Sequence, residues 1–339
     1  MRNLEIKSSL AVPVGQQKPA MFLRKAVADG HSAFLLHGPC HIGKHTLALY
    51  LAAMLNCPEE NTPCGQCSYC RRILKGVFAD VKTAGIETAE KGGEEVAKTG
   101  ISTEQVKDII ESAVVAPYEG RAKVFIIDGA EYMSLPAANR LLKTLEEHQS
   151  YVYFILLAEN ADILLPTISS RLSKVEIKEA LEDDITKHLV SLGADAKTAQ
   201  ILSSMAGGKT GWAVLALQND DMVQERQDFA QKALDMTTYP LTKRLALAGE
   251  LNKMFTKDRQ SLYRLLDIWQ KIYRDMLAVS LGQDVLVHNR QLIANIKEAA
   301  MRLNSMRINA FLQSITYSKK LLKQNVASLL TLEAMMLSL

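Results

Sequence analysis

Two groups of residues in this sequence have types and spacings that could do chemistry. The first is the run from Gly38 to Lys44, in which two glycines with four residues between them are followed at once by a lysine. Glycines at this spacing let backbone N–H groups turn into a concavity that cradles phosphates, and Lys44 could reach the outer phosphates. The next residue, where a Ser or Thr hydroxyl would serve a magnesium ion, is His45, and Thr46 stands one place too late. Neutral imidazole is a poor ligand for so hard a cation. The loop is suited to a phosphate and badly equipped for hydrolysis, so ATP with magnesium is a doubtful ligand for it.

The second group is Cys57, Cys64, Cys67 and Cys70, four of the five cysteines, arranged C-x6-C-x2-C-x2-C with turns at Pro63 and Gly65. Thiols packed so closely in a reducing compartment read as a metal site, not as disulfides. Four thiolates suit zinc, and with no open position the ion would be structural. The bland alternative is four small buried residues. Cys40, inside the glycine loop, is expected only to fill space there.

Certain elements must position these groups. Phe34, Leu35 and Leu36 read as a buried strand entering the glycine loop, and Leu47, Leu51 and Leu55 as the apolar stripe of a helix leaving it. Lys123 to Asp128, KVFIID, is a second buried strand ending in an acid that would hold the water shell of a magnesium ion. The residue after Asp128 would ordinarily be a water-polarising Glu; it is Gly129, and Glu131 is expected to point elsewhere. Val152 to Ala158 is a third strand. Asn160 at its end either senses a phosphate or caps the next turn. Arg171 follows Ser169 and Ser170, and read blandly it is a surface charge.

An early helical pattern runs through Met21, Phe22 and Val27. The polar stretch between Asp80 and Gly100 reads as an exposed loop, Ser102 or Thr103 as a helix cap, and residues 137–147 as an amphipathic helix. Three short helical patterns surround GGKTGW at residues 207–212. Beyond residue 240 long apolar stripes, such as Leu262, Leu265, Leu266, Trp269 and Ile272, then Leu321, Leu322, Leu329, Leu330 and Leu332, indicate a helical bundle.

The totals exclude some classes. At 339 residues, with 48% hydrophobic and 23% charged residues, the chain is an ordinary globular protein of two or three domains. No apolar run approaches the roughly 18 residues that span a bilayer, and MRNLEIKSSL mixes charges with its leucines unlike a signal peptide. A cytoplasmic protein without membrane contact is expected. The net charge of +3 is uneven: residues 241–339 hold 15 Lys and Arg against 7 Asp and Glu, which leaves 25 against 30 for the rest. The basic end reads as a solvated helical surface or a face for an acidic partner.

Glycine loop, cysteine cluster, Asp-ended strand, AANRLLKTLEE, LLPTISSR and a helical C-terminal part occur in that order. In these motifs the sequence resembles the AAA+ clamp-loader family, strongly over residues 14–172 and weakly beyond about 240. The resemblance implies an α/β P-loop AAA+ core with a parallel sheet over 1–172, carrying a zinc-binding insertion at about 57–70. It further implies a small helical lid over 173–237 and an all-α collar over 238–339 that holds the chain in a five-membered ring with gamma or tau motor subunits and a delta subunit. Such rings open a sliding clamp and place it on primed DNA, using ATP bound at subunit interfaces.

By this resemblance Arg171 would project into a neighbour's ATP site as an arginine finger; the family's usual Ser-Arg-Cys ends here in Leu172, so only the arginine carries over. Gly38, Gly43, Lys44, His45, Thr46 and Asp128 would form a degenerate nucleotide site. Motor members keep Ser or Thr after the lysine and Glu after the aspartate, which His45 and Gly129 replace, and GKTGW stands where the lid's sensor arginine is usual. The expectation is therefore a finger-donating subunit without turnover of its own. The alternatives are an ATPase motor, or a zinc-containing DNA-binding protein, against which stand the modest charge and the lack of an aromatic-rich basic patch.

Overall fold

The computed structural model describes residues 10–86, 88–91, 94–97, 100–324 and 326–339. The chain divides into two compact units, Met1–Ala199 with Gly208–Val214, and Gln200–Gly207 with Leu215–Leu339.

The first unit is built on five parallel strands. In chain order its elements are α1 (Gln17–Ala28), β1 (Ala33–His37), α2 (Lys44–Asn56), α3 (Ser68–Leu74), β2 (Val81–Ala84), a hairpin of β3 (Thr88–Lys91) and β4 (Glu94–Ala97), α4 (Thr103–Val114), β5 (Lys123–Asp128), α5 (Leu135–Glu146), β6 (Val152–Ala158), α6 (Pro166–Ser169), β7 (Ser173–Glu176) and α7 (Glu182–Ser191). The sheet order is β2-β5-β6-β1-β7, with Leu35 level with Leu156 on one side and Lys174 on the other.

Strand side chains alternate between faces, and both faces are covered. Phe34, Leu36, Ile126 and Ile155 pack under α1, α2 and α3. Leu35, Phe125, Ile127 and Phe154 pack under α4 and α5, with the Phe125 and Phe154 rings stacked at 5.4 Å. Helices on both faces of a parallel sheet, with the glycine loop after β1, are the expected α/β architecture, and β7 carries the sheet beyond residue 172 into the stretch expected to be helical.

Local signals set the helix ends. Ser102 caps α4 in a reciprocal capping box with Gln105, and the Ser134 hydroxyl accepts from Ala137 N–H to start α5, which has Pro136 in its first turn. Three details depart from the sequence reading. On α1 the buried positions are Ala20, Leu23 and Ala26, while Met21 and Phe22 face outward. Within 80–100, the described residues 88–91 and 94–97 pair as an antiparallel hairpin where a loop is expected. And β7 is an unforeseen edge strand, because only Val175 of its four residues is buried and so short a polar segment carries no periodic signal.

The remaining helices are α8 (Ala196–Ala206), α9 (Thr210–Gln218), α10 (Asp220–Asp235), α11 (Leu241–Lys257), α12 (Arg259–Ser280), α13 (Ile293–Arg302), α14 (Ser305–Lys323) and α15 (Ser328–Leu337). In the second unit the core gathers around α12, whose Leu262, Leu265, Leu266, Trp269, Ile272 and Tyr273 are all buried. Two buried polar tips tie α12 to α10: Trp269 Nε1 donates to the Phe229 carbonyl at 3.0 Å and Tyr273 Oη to the Ala233 carbonyl at 3.3 Å. The last leucine stripe splits. Leu322 and Leu332 are buried, but Leu329 and Leu330 are exposed, because α14 ends at Lys323 and α15 restarts the helical phase at Ser328. Among the described residues no helix is long and apolar enough to cross a membrane.

Candidate functional site

The glycine loop joins the C-terminal end of β1 to the N-terminus of α2, where α/β sheets place ligands. Both glycines are required. A Cβ on Gly38 would lie 2.2 Å from the Ile177 carbonyl oxygen, and Gly43 has φ +97° with Pro13 packed against the space a side chain would take. Gly43 precedes the first turn of α2, so the helix offers free N–H groups and its positive end to an anion. His45 and Thr46 are exposed on that turn. Lys44 does not reach outward. Its ammonium donates to the Gly38 and Pro39 carbonyls at 2.6 and 2.8 Å. Burial pulls its pKa below the usual lysine value, opposed by Glu159, Cys40, Glu131 and Asp128.

These acids stand at the same edge of the sheet. Gly38 N–H and Gly129 N–H donate to the Ala158 and Leu157 carbonyls, which draws the ends of β1 and β5 onto the end of β6. Asp128 is exposed at the end of β5, and Gly129 follows with φ +78°. Glu131 does not point elsewhere: its Oε1 accepts the Glu159 N–H at 2.9 Å, and it interacts with Lys44. Its Oε2 is buried without a hydrogen-bond partner among the described residues. Burial first, and the Glu159 charge as well, push its carboxyl above the usual glutamate range. Asn160 caps: its Oδ1 accepts the Asp162 N–H.

A further strand of chain closes on the glycine loop. Gly211 N–H donates to the His41 carbonyl at 2.7 Å, and Lys209 Nζ lies 3.6 Å from Cys40 Sγ. A Cβ on Gly211 would stand 2.8 Å from that His41 oxygen, so the GKTGW stretch is fitted to the loop by its second glycine. Cys40 therefore does more than fill space.

The four cysteines gather at the far end of α2. Their sulfurs all lie within 4.8 Å of one another, with Cys57 to Cys67 at 3.9 Å and Cys64 to Cys70 at 4.0 Å. Four sulfurs about 2.3 Å from a tetrahedral zinc stand ~3.8 Å apart, so the group fits such an ion. Backbone N–H groups of Cys67 and Gln66 point at Cys64 Sγ and lower its thiol to about 7, whereas burial raises the thiols of Cys67 and Cys70 although Cys70 N–H points at Cys67 Sγ. Donors of this kind stabilise thiolate over thiol.

The group is fastened to the core. Arg72 of α3 makes a two-point ion pair with Glu119, both contacts 2.6 Å, and Tyr69 Oη donates to the Glu119 carbonyl. Asp80 is buried and accepts the N–H groups of Tyr118, Glu119 and Gly120. Burial pushes its carboxyl up, but those donors together hold it below the usual aspartate value.

Arg171 lies just after α6. Its Nε donates to Glu146 Oε1 at 2.5 Å, Nη2 contacts the same oxygen, and Nη1 donates to the Thr167 carbonyl at 2.5 Å. Leu172, at the position of the expected cysteine, is buried with Ile168 in the core under α5.

Residues 15–180 match the family described as "DNA polymerase III, delta subunit". The gamma subunit of DNA polymerase III from Buchnera aphidicola is 27% identical over 277 residues, covering 76% of this chain and 73% of its own. The delta′ subunit from Bacillus subtilis is 26% identical over 305 residues, 87% of this chain and 86% of its own. The chain is similar to the gamma and delta′ subunits of DNA polymerase III. For other gamma, tau and delta′ relatives the chain spans less than half of their own length. Among solved structures, a gamma subunit-related protein of Thermotoga maritima aligns over 94% of this chain and 96% of its own at 18% identity, with a TM-score of 0.39.

The structure brings Gly38, Gly43, Lys44 and Asp128 to one edge of the sheet and sets Cys57, Cys64, Cys67 and Cys70 together at the other end of α2. Sequence reasoning missed Lys209 and Gly211, misplaced Glu131, and passed over Glu146. The one available signal was the pair of glycines flanking Lys209 and Thr210, a turn able to approach another backbone closely.

Proposed function

We propose that this chain is a delta prime-type subunit of the clamp loader: it turns over no ATP itself and donates Arg171 to a neighbour's ATP site while the ring places a sliding clamp on primed DNA. One observation carries this reading. The position that should polarise the attacking water is Gly129, in a left-handed conformation with the Tyr132 ring against the space a side chain would take. His45 offers no hydroxyl to magnesium, and Lys44 is engaged by its own loop, so the residues present do not fit hydrolysis of magnesium-bound ATP.

Cys57, Cys64, Cys67 and Cys70 would hold a structural zinc that welds the end of α2 to the core. The partners are gamma or tau and delta subunits in a five-membered ring in the cytoplasm, with the clamp and primer-template DNA reached through that complex. In related phosphoryl-transfer systems a guanidinium supplied in trans contributes about 10³ to 10⁵ in rate.

The test is ATP turnover before and after assembly. The isolated chain should show negligible hydrolysis, and a ring rebuilt with Arg171→Ala should turn over more slowly than the wild-type ring. Brisk hydrolysis by the isolated chain, abolished by Lys44→Ala, would establish the second reading, a gamma/tau-type motor. What favours that second reading is Glu131, a carboxyl of raised pKa beside Lys44 where a general base could stand.

A further inference from the structure

We propose that Glu146 is the positioning residue of Arg171, holding its guanidinium in a fixed plane with two N–H groups free to grip a phosphate; this rests on the finger reading above. A guanidinium has five N–H donors in a rigid fork. Glu146 Oε1 takes Nε and contacts Nη2, and the Thr167 carbonyl takes one hydrogen of Nη1. That leaves one N–H on each terminal nitrogen without a partner among the described residues, the pair that binds two oxygens of one phosphoryl group.

The two anchors come from different elements. Glu146 is the last residue of α5, where the helix's negative end also favours a cation, and Thr167 belongs to α6. Two anchors fix both the direction and the rotation of a long side chain, so less rotamer freedom remains to be lost when a phosphate arrives. Both partners are still partly open to solvent, with side-chain exposures of 35% for Arg171 and 44% for Glu146, so the seat does not wall the guanidinium away from a neighbour.

The experiment uses the reconstituted ring with ATP as substrate and four versions of this chain: Glu146→Ala, Glu146→Gln, Arg171→Ala, and the double variant Glu146→Ala with Arg171→Ala. Gel filtration first establishes that each version enters the ring. Glu146→Ala is expected to lower kcat about five-fold, the factor that corresponds to losing one partly exposed ion pair, with KM for ATP little changed because the neighbour's loop binds the nucleotide. Glu146→Gln keeps an acceptor oxygen and should recover most of the rate. In the Arg171→Ala background, Glu146→Ala should cost nothing further, whereas a merely structural role would slow that ring as well.

A ring slowed by Arg171→Ala but untouched or accelerated by Glu146→Ala overturns this inference and leaves the finger in place. A ring indifferent to Arg171→Ala overturns the finger reading itself, and the positioning role with it.

Discussion

The alpha carbon of Gly129 faces the ring of Tyr132 so closely that a Cβ built there would stand 2.9 Å from Cδ2. The backbone at Gly129, at φ +78°, is one that side-chain-bearing residues seldom adopt. A glutamate at this position would therefore meet a strained backbone as well as the Tyr132 ring.

Gly129→Glu should accordingly fail to restore ATP hydrolysis in the isolated chain and should destabilise the first unit by about 1 to 3 kcal/mol, the usual cost of a residue forced into a sparsely populated conformation. Urea unfolding and a coupled ATPase assay check both parts. A Gly129→Glu variant that is as stable as the parent and active contradicts the account.

Metal analysis of protein purified without chelators should find one zinc per chain, and cobalt exchanged into the site should give the absorption of tetrahedral thiolate ligation. In zinc-finger peptides such an ion contributes about 10 to 16 kcal/mol. Removing it, or replacing Cys70 with Ser, should loosen the segment from Cys57 to Leu74, seen as faster amide hydrogen exchange there than in β5 and β6. Full protection of that segment in metal-free protein would count against a structural ion.

Asp80→Asn should cost about 1 to 3 kcal/mol at neutral pH, because an amide offers its own N–H groups to donors that now point at a carboxylate. The sign with pH follows from the depressed folded value. Stability from this carboxylate is present above the unfolded value of about 3.9 and is lost as pH falls through the folded one. The gap between parent and variant in urea unfolding should thus narrow below about pH 4.

Glu131→Gln should have the opposite pH signature. A carboxyl whose folded pKa is raised contributes fully below the unfolded value of about 4.3 and loses that contribution as pH rises through the folded value. Glutamine retains an oxygen for the Glu159 N–H without a charge to bury. The variant should melt above the parent at pH 8, with the difference closing toward pH 4. Equal melting temperatures at pH 8 would show that the Lys44 charge fully compensates the buried carboxylate.

Much of the site was legible in the chain itself wherever the chemistry is local. The run Gly38 to Lys44 lies between a buried strand and a helix within one short stretch, and the four cysteines share one turn-rich segment, so spacing alone confined their geometry. Alternation in KVFIID and VYFILLA identified strands covered on both faces.

What tertiary structure decided is everything that joins residues distant in sequence. Arg171 meets Glu146 25 residues away, and Gly211 reaches His41 across the intervening strands and helices. Lys44 turns back onto its own loop, and Glu131 swings in beside it under the Glu159 N–H. Periodicity and spacing record which face of an element is apolar, because burial repeats with the backbone. They carry no record of which polar group each side chain finds, since that follows from how the elements pack, and this packing sets the raised pKa of Glu131, the seat of Arg171 and the closure of the glycine loop.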